Sequence, residues 1–556
     1  VTFDKLSSLW PEICLFGVTC VIMLVGLSSS LRVRKLCSPL AALGLVAAAF
    51  LAWAAAAPGT TLLPNLPTYG KLLTCGVGLL LLLLLSGLPD RRYEALVATG
   101  RVRFSAAKTV RAEYYAFFLF SLTGLMLCAG ATNLIWLFLA LELTSLPTYV
   151  MVALSSQRER SLEAGVKYFF LGALGAAVFL FGFVMIYGGT GTVNIDEIAQ
   201  SVRNQALEGG INAITLTGML LAVVGLCFKI AAVPMHFYTP DVYQGAASPI
   251  TAMLAFVPKA AGFFALLLLM AALGWGDLQG HGSLPSPIGE VLTVIAVLTM
   301  TFGNVLALLQ TSVKRVLAYS SIAHSGYMLV ALISGPGAMG NDSLTNGLAA
   351  IALYLLAYGV TNVAAFSVMA TLEKPGADGT IDEADDFADI RGLRKRAPGL
   401  AWVMALAALG LMGFPPLFGF FAKLPLFTSG LAGGHVLLVI ILGLNSAIAA
   451  YYYLRIVAFT LLESPDGAGR AESFAITPFA NRTLAGYVAA GLVLAAPLAP
   501  LVDEVLDPVR AGQWGARYNP AGVSPTPRAR ELPEGAGASQ RDGAALGDAD
   551  AEPAAG

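Results

Sequence analysis

Residues 228–263 read FKIAAVPMHFYTPDVYQGAASPITAMLAFVPKAAGF, two apolar runs that each carry a lysine beside a proline. Lys229 stands just ahead of Pro234, and Lys259 directly follows Pro258. A proline removes a backbone donor and frees a carbonyl, which lipid tolerates only where protein or cavity water satisfies it. An ionisable group near the centre of a bilayer costs at least roughly 2.5–3.5 kcal/mol. Lysines beside helix breaks in apolar runs therefore predict a protein-lined, hydrated path inside a membrane.

The whole chain fits that setting. Of its 556 residues 57% are hydrophobic and 12% charged, with a mean hydropathy of +0.74, whereas soluble domains are about a quarter charged. A net charge of −1 with no basic cluster excludes a nucleic-acid footprint. The six cysteines (Cys14, Cys20, Cys37, Cys75, Cys128, Cys227) form no C-x-x-C pair, so iron–sulfur or zinc ligation is unsupported. There is no Gly-rich dinucleotide motif. The first apolar run begins near Glu12 without a basic n-region or cleavage site and reads as a retained helix.

A span needs about 20 apolar residues, and fourteen segments qualify. They lie near 12–29, 39–57, 71–88, 114–131, 133–154, 167–188, 212–233, 248–273, 287–310, 313–334, 346–372, 399–424, 432–462 and 483–502. Alternate loops concentrate Lys and Arg: Arg32, Arg34 and Lys35; Arg91 to Arg111; Arg158 and Arg160; Lys314 and Arg315; Arg391 to Arg396. Short cytoplasmic loops carry such charge, so both termini are expected on the outer face, with Arg203 the exception to the pattern. Residues 196–207 read as an amphipathic interfacial helix. The acidic loop with Glu383, Asp385, Asp386 and Asp389 reads as solvated inner surface, and 508–556, rich in Ala, Gly, Pro and charge, as a disordered tail.

Five ionisable residues fall within apolar runs: Glu142 in LFLALELTSLPTYVM, Lys167 in VKYFFLGALGAAVFLFG, Lys229, Lys259, and Lys423 in GFPPLFGFFAKLPLF. Glu142 and Lys259 have apolar neighbours over a full turn on both sides. Lys167 and Lys423 lie close enough to a helix end to snorkel. Burial lowers a lysine's pKa from ~10.4 and a nearby carboxylate restores it, so an amine can be switched between holding and releasing a proton. Glu142 is the expected modulator of Lys229, with Lys167 competing for that carboxylate. Lys259 is expected at mid-path, and Lys423 is expected to exchange with an aqueous face. His324 is a further relay candidate. His236, Tyr149, Tyr238, Tyr243, Ser320, Ser321, Ser325, Tyr327 and Tyr358 are supporting polar groups.

Breaks recur at the fourth helix of two successive five-helix blocks, spans four to eight and nine to thirteen. Odd blocks insert in opposite senses, which predicts two inverted repeats. The implied organisation is 1–113 (spans 1–3), 114–273 (first repeat), 274–465 (second repeat), 466–507 (span 14) and 508–556 (tail).

The motifs LALELTSLPTYVMVA, EAGVKYFFLGALGAAVFLFG, the 228–263 stretch, VKRVLAYSSIAHSGYMLV and GFPPLFGFFAKLPLF resemble the antiporter-like membrane subunits of respiratory complex I. That family is shared with multisubunit cation/proton antiporters and membrane hydrogenases, and the resemblance covers roughly residues 5–505. It implies an all-α polytopic fold of about fourteen transmembrane helices with two inverted five-helix repeats and broken helices 7 and 12. By motif match, Glu142, Lys229, Lys259 and Lys423 occupy the family's charged positions on helices 5, 7, 8 and 12. The loops at 57–70 and 90–113 and the tail exceed the family pattern.

It further implies proton translocation in a bacterial plasma membrane, with no cofactor in this chain. Partner membrane-arm subunits would complete a hetero-oligomer, and FMN, iron–sulfur clusters and quinone would belong to partner subunits. The alternatives are a cation/proton antiporter or membrane-bound hydrogenase subunit, for which one deep carboxylate furnishes a poor Na+ site, and a scaffold held by structural ion pairs, for which amines outnumber carboxylates.

Overall fold

Each apolar run is built on helix within the residues that the computed structural model describes, 8–54, 60–86, 91–105, 108–155, 159–275, 284–336, 345–375, 381–463, 475–476 and 480–494. Where no water can bond the backbone, a helix satisfies every N–H and C=O within its own segment. The spans are α1 (Trp10–Gly26), α2 (Cys37–Ala54), α3 (Leu66–Leu85), α4 (Arg111–Ala129), α5 (Leu134–Leu154), α6 (Glu159–Thr190) and α7 (Ala213–Lys229). Then come α8 (Ser248–Leu273), α9 (Ser286–Leu308), α10 (Val313–Ser334), α11 (Gly347–Thr371), α12 (Pro398–Met412) and α13 (Phe418–Ala432), followed by α14 (Val436–Val457) and α15 (Ala480–Leu494). Because α12 and α13 are two halves of one span, the count among the described residues is fourteen. The predicted tail at 508–556 lies outside the described residues.

The two predicted breaks are present, and each is stabilised by groups from elsewhere in the bundle. After α7 ends at Lys229, helix resumes only at Thr239–Gly245. Tyr238 OH donates to the Phe228 carbonyl at 2.8 Å, Ser325 of α10 donates to the Ile230 carbonyl, and Thr299 Oγ1 of α9 accepts from Val233 N at 3.0 Å. The twelfth span breaks at Gly413, whose φ of +84° lies where only glycine sits without strain.

Every residue of α8 is buried, so α8 forms the axis of the bundle, while α6 and α14 turn broad apolar faces outward. Close packing brings the helices of each half together in the same way. A Cβ on Gly124 of α4 would stand 2.5 Å from Thr144 N of α5, and one on Gly303 of α9 would stand 2.6 Å from Ala323 N of α10. Small residues let membrane helices approach backbone to backbone. These contacts align Thr144 with Ala323, and therefore Glu142 with Ser321 and Ser145 with His324.

The amphipathic stretch is the helix Ile195–Leu207, which buries Ile195, Ile198, Ala199 and Val202 and is capped by Asn194. A small antiparallel sheet, which the apolar pattern did not announce, joins β1 (Leu372–Pro375), β2 (Ile381–Glu383) and β3 (Ala475–Ile476) in the order β2-β1-β3. Its strands are too short to show a period of two.

The acidic loop is not simply solvated. Glu383 accepts from Ser248 N at 2.9 Å and from the Ser248 hydroxyl at 2.7 Å, capping α8, and it pairs with buried Lys314. Burial alone would raise the Glu383 carboxyl, but the Lys314 ammonium and the Ser248 donors outweigh it and hold the group below the ordinary carboxylate range. A buried lysine and an open helix N-terminus demand an anion here, and charge counting along the sequence does not reveal that demand.

Candidate functional site

Glu142 and Lys229 meet as expected. Lys229 Nζ donates to Glu142 Oε1 at 3.0 Å and to Ser145 Oγ at 2.7 Å, and it lies 5.5 Å from the centre of the Phe179 ring. The lysine side chain is 1% exposed and the glutamate 19%. Ser145 is one turn beyond Glu142 on the same helix face, so the i, i+3 spacing signals it.

Between Lys229 and Lys259 lies a cavity of about 10 Å³ lined by both lysines with Tyr168, Tyr238, Thr239 and Tyr243, at the lower limit for holding one water. On its far side Lys259 donates to the Ser321 carbonyl and, at 2.7 Å, to the Ser321 hydroxyl. Its ammonium stands 4.8 Å from the Tyr358 ring centre. Tyr243 OH shares the Ser321 hydroxyl at 3.2 Å. Cavity and hydroxyls thus place one continuous polar strip from α5 through α7 and α8 to α10.

The strip continues at His324, three residues beyond Ser321. Its Nδ1 bonds Tyr354 OH at 2.5 Å and its Nε2 bonds Tyr453 OH at 2.8 Å. Tyr453 also meets Ser320. The Tyr327 ring packs edgewise on His324 at 5.5 Å, and the Lys423 ammonium lies over that ring at 4.6 Å. Lys423 Nζ reaches the Met412 carbonyl, released at the end of α12, at 3.4 Å. Lys423 is 5% exposed, so it neither snorkels nor stands at an aqueous face. Among the described residues neither Lys259 nor Lys423 has an ion-pair partner.

Lys167 departs from expectation. It is 43% exposed and pairs with Glu163 at 2.7 Å and Asp241 at 3.2 Å, not with Glu142. Arg315 shares Asp241 at 2.8 Å. The physical reason is that α6 extends back to Glu159, which puts Glu163 one turn before Lys167 on the same face, and that the short helix Thr239–Gly245 brings Asp241 beside it. A second correction concerns deep carboxylates. Glu12, 4% exposed, is buried between α1 and α3 against Lys71 at 2.9 Å, so Glu142 is not alone.

Of the supporting groups, Tyr238, Tyr243, Ser320, Ser321, Ser325, Tyr327 and Tyr358 line the strip or the α7 break. Tyr149 packs on Tyr168 and Phe169. His236 stacks on Phe302 away from the strip. The structure adds Tyr354 and Tyr453 to the strip. Tyr354 lies one turn from Tyr358, and Tyr453 sits in the run Tyr451–Tyr452–Tyr453, a polar patch in an otherwise apolar helix.

Broken helices meeting at a buried polar midplane define a polytopic membrane protein of transporter architecture. Residues 131–449 match the family described as NADH:quinone oxidoreductase/Mrp antiporter, TM, and the chain belongs to that family. It is 35% identical over 493 residues, 87% of its own length and 94% of the relative's, to a protein of Herminiimonas arsenicoxydans named NADH-quinone oxidoreductase subunit N. Its fold matches a chain of respiratory complex I from Thermus thermophilus with a TM-score of 0.67 at 29% identity, over 89% of this chain and 98% of that one. A chain of the Mrp complex from Dietzia sp. DQ12-45-1b matches with a TM-score of 0.65 at 20% identity, over 92% and 99% respectively, which is a likeness of fold.

Proposed function

We propose that the chain is a proton-translocating membrane subunit of an NADH:quinone oxidoreductase, moving protons along Glu142, Lys229, Lys259, His324 and Lys423 while electrons travel in other subunits. The observation that carries this reading is Lys229, buried between Glu142 and Ser145 and separated from Lys259 by a cavity at the limit for one water. A compact amine with three rotatable donors can hold a proton against the carboxylate and hand it through water or a hydroxyl when the pair loosens. Ser321, His324 and Tyr453 offer the following stations. In the second half a neutral carbonyl and aromatic faces hold the amine, so that proton has no fixed anion to leave behind.

Lys167 belongs with Asp241 and Arg315 at the charged end rather than on the path. The Lys- and Arg-rich alternate loops support a cytoplasmic position for that end in a bacterial plasma membrane, with both termini on the outer face. FMN, iron–sulfur clusters and quinone would reside in partner subunits of the assembly. The antiporter alternative is not favoured, because the strip offers one carboxylate against three lysines and no cage of oxygens for Na+.

Purification of the tagged chain in mild detergent tests the assignment. Co-purifying subunits with flavin and iron–sulfur absorbance are the expected result. Co-purification with colourless membrane subunits alone would overturn it.

A further inference from the structure

One fully buried amide lies behind the second half of the strip. Asn304 of α9 is 0% exposed. Its Nδ2 is within bonding distance of Tyr327 OH (2.8 Å), the Met300 carbonyl (2.8 Å) and Asn445 Oδ1 (3.1 Å), and its Oδ1 accepts from Tyr452 OH at 3.0 Å. Asn445 of α14 completes the cluster, donating to the Ile441 carbonyl at 3.0 Å and to Thr301 Oγ1 at 3.4 Å, while its carbonyl accepts from Tyr327 OH at 3.4 Å. One side chain thereby ties α9 to α10 and α14.

The tyrosines it holds are those that matter to the strip. Tyr327 is the ring under the Lys423 ammonium, and Tyr452 is the chain neighbour of Tyr453, which bonds His324. A buried amide costs several kcal/mol when unpaired, and a fully satisfied network rigidifies what it touches. An apolar residue would pack α9 against α10 without that risk, so the amide's distinctive contribution is orientation.

We propose that Asn304 is a positioning residue for proton transfer at Lys423, fixing Tyr327 as the seat of the ammonium and Tyr452–Tyr453 as the support of His324. The proposal rests on the proton-path reading above. The titratable groups facing Lys423 from the elements around α13 are His324 and Tyr327 on α10, Tyr354 and Tyr358 on α11, and Tyr452 and Tyr453 on α14, with Lys259 of α8 beyond; those same helices also carry the half-buried Tyr319, the exposed Tyr451, and Arg455, which is bonded to the Gln310 carbonyl. α12 has none, Arg482 of α15 is bonded to the Ala370 carbonyl, Tyr487 lies against Gly399, and Lys314 and Arg315 of α10 are paired with Glu383 and Asp241.

The test measures proton uptake against pH in inverted membrane vesicles holding the complete complex. Asn304→Leu removes the amide from the Tyr327 and Tyr452 hydroxyls and loosens the ring that seats the ammonium, so the optimum should move about one unit toward acid, a tenfold change in proton affinity. Tyr327→Phe, which removes one oxygen and keeps the ring, should move it the same way and carries the test if Asn304→Leu does not assemble. Asn304→Asp places an anion one ring away from the ammonium, and the optimum should move toward alkali. A merely structural role lowers the amplitude of all three without moving the optimum, and that result overturns the proposal, as does a shift of the Leu and Asp variants in one direction. Lys423→Met is the control for the underlying reading. If it pumps like wild type, the proton path fails at Lys423 and this proposal fails with it.

Discussion

The pair α4–α5 and the pair α9–α10 are built alike around glycines and furnished differently. In register, Glu142 stands where Ser321 stands and Ser145 where His324 stands. Each register position receives a buried amine, Lys229 on the carboxylate at 3.0 Å and Lys259 on the serine hydroxyl at 2.7 Å. One scaffold therefore presents an anionic acceptor in its first half and a neutral acceptor in its second. The same contrast appears at the breaks, since Lys229 closes the helix before its break and Lys423 follows its own. The difference teaches that the first half can store charge as a pair, whereas the second must accept and release it as an isolated cation.

The largest expected effect comes from making the first-half amine unable to release its proton. In Lys229→Arg, guanidinium keeps the charge and the pairing but cannot deprotonate at working pH. Quinone-coupled proton uptake should fall by roughly 100-fold or more, the scale of a lost acid–base group, in complexes that still assemble. Uptake near wild type would show that the pair only braces the helices.

Making the second half resemble the first should also harm it. Ser321→Asp gives Lys259 an anion and should slow uptake by about tenfold, one unit of proton affinity, whereas Ser321→Ala should act more mildly because the Ser321 carbonyl remains. Equal effects of the two would erase the distinction between charged and neutral acceptors.

Outside the strip, Glu383→Ala leaves Lys314 buried without its partner and should cost roughly 3 kcal/mol, the scale of a broken buried pair, read as earlier thermal unfolding in detergent. Because the Glu383 carboxyl is held below the ordinary range, its stabilisation is complete above that range and is lost as pH falls through the lowered value. The gap between wild type and Glu383→Gln should therefore narrow in acid, and a gap independent of pH would contradict the pairing. The smallest effect belongs to Lys167→Ala. Exposed ion pairs contribute at most ~1 kcal/mol, about fivefold in a rate, so quinone-coupled proton uptake should stay within about fivefold of wild type, and a larger loss would restore Lys167 to the path.

Much of this organisation is legible along the chain. Apolar run length yields the spans, prolines beside Lys229 and Lys423 yield the breaks, and apolar flanks single out Glu142 and Lys259. What fails is anything set by contact between distant segments. Lys167 pairs with Asp241 because Thr239–Gly245 folds back beside it, which no local pattern encodes. Glu12 and Lys71 lie at the edges of their apolar runs and look interfacial until α1 and α3 pack together. Tyr354, Tyr453 and Asn304 are single polar residues in apolar helices, and only the meeting of α9, α10, α11 and α14 separates them from ordinary helix-to-helix bonds.

The central claim is that the Glu142–Lys229 pair moves protons and does not merely hold helices together. Proton uptake per NADH oxidised, measured side by side in vesicles carrying wild type, Glu142→Ala and Lys229→Ala, with assembly checked on native gels, tests it most directly. The account predicts intact assemblies with uptake abolished in both variants; assembled variants that pump at the wild-type ratio would contradict it.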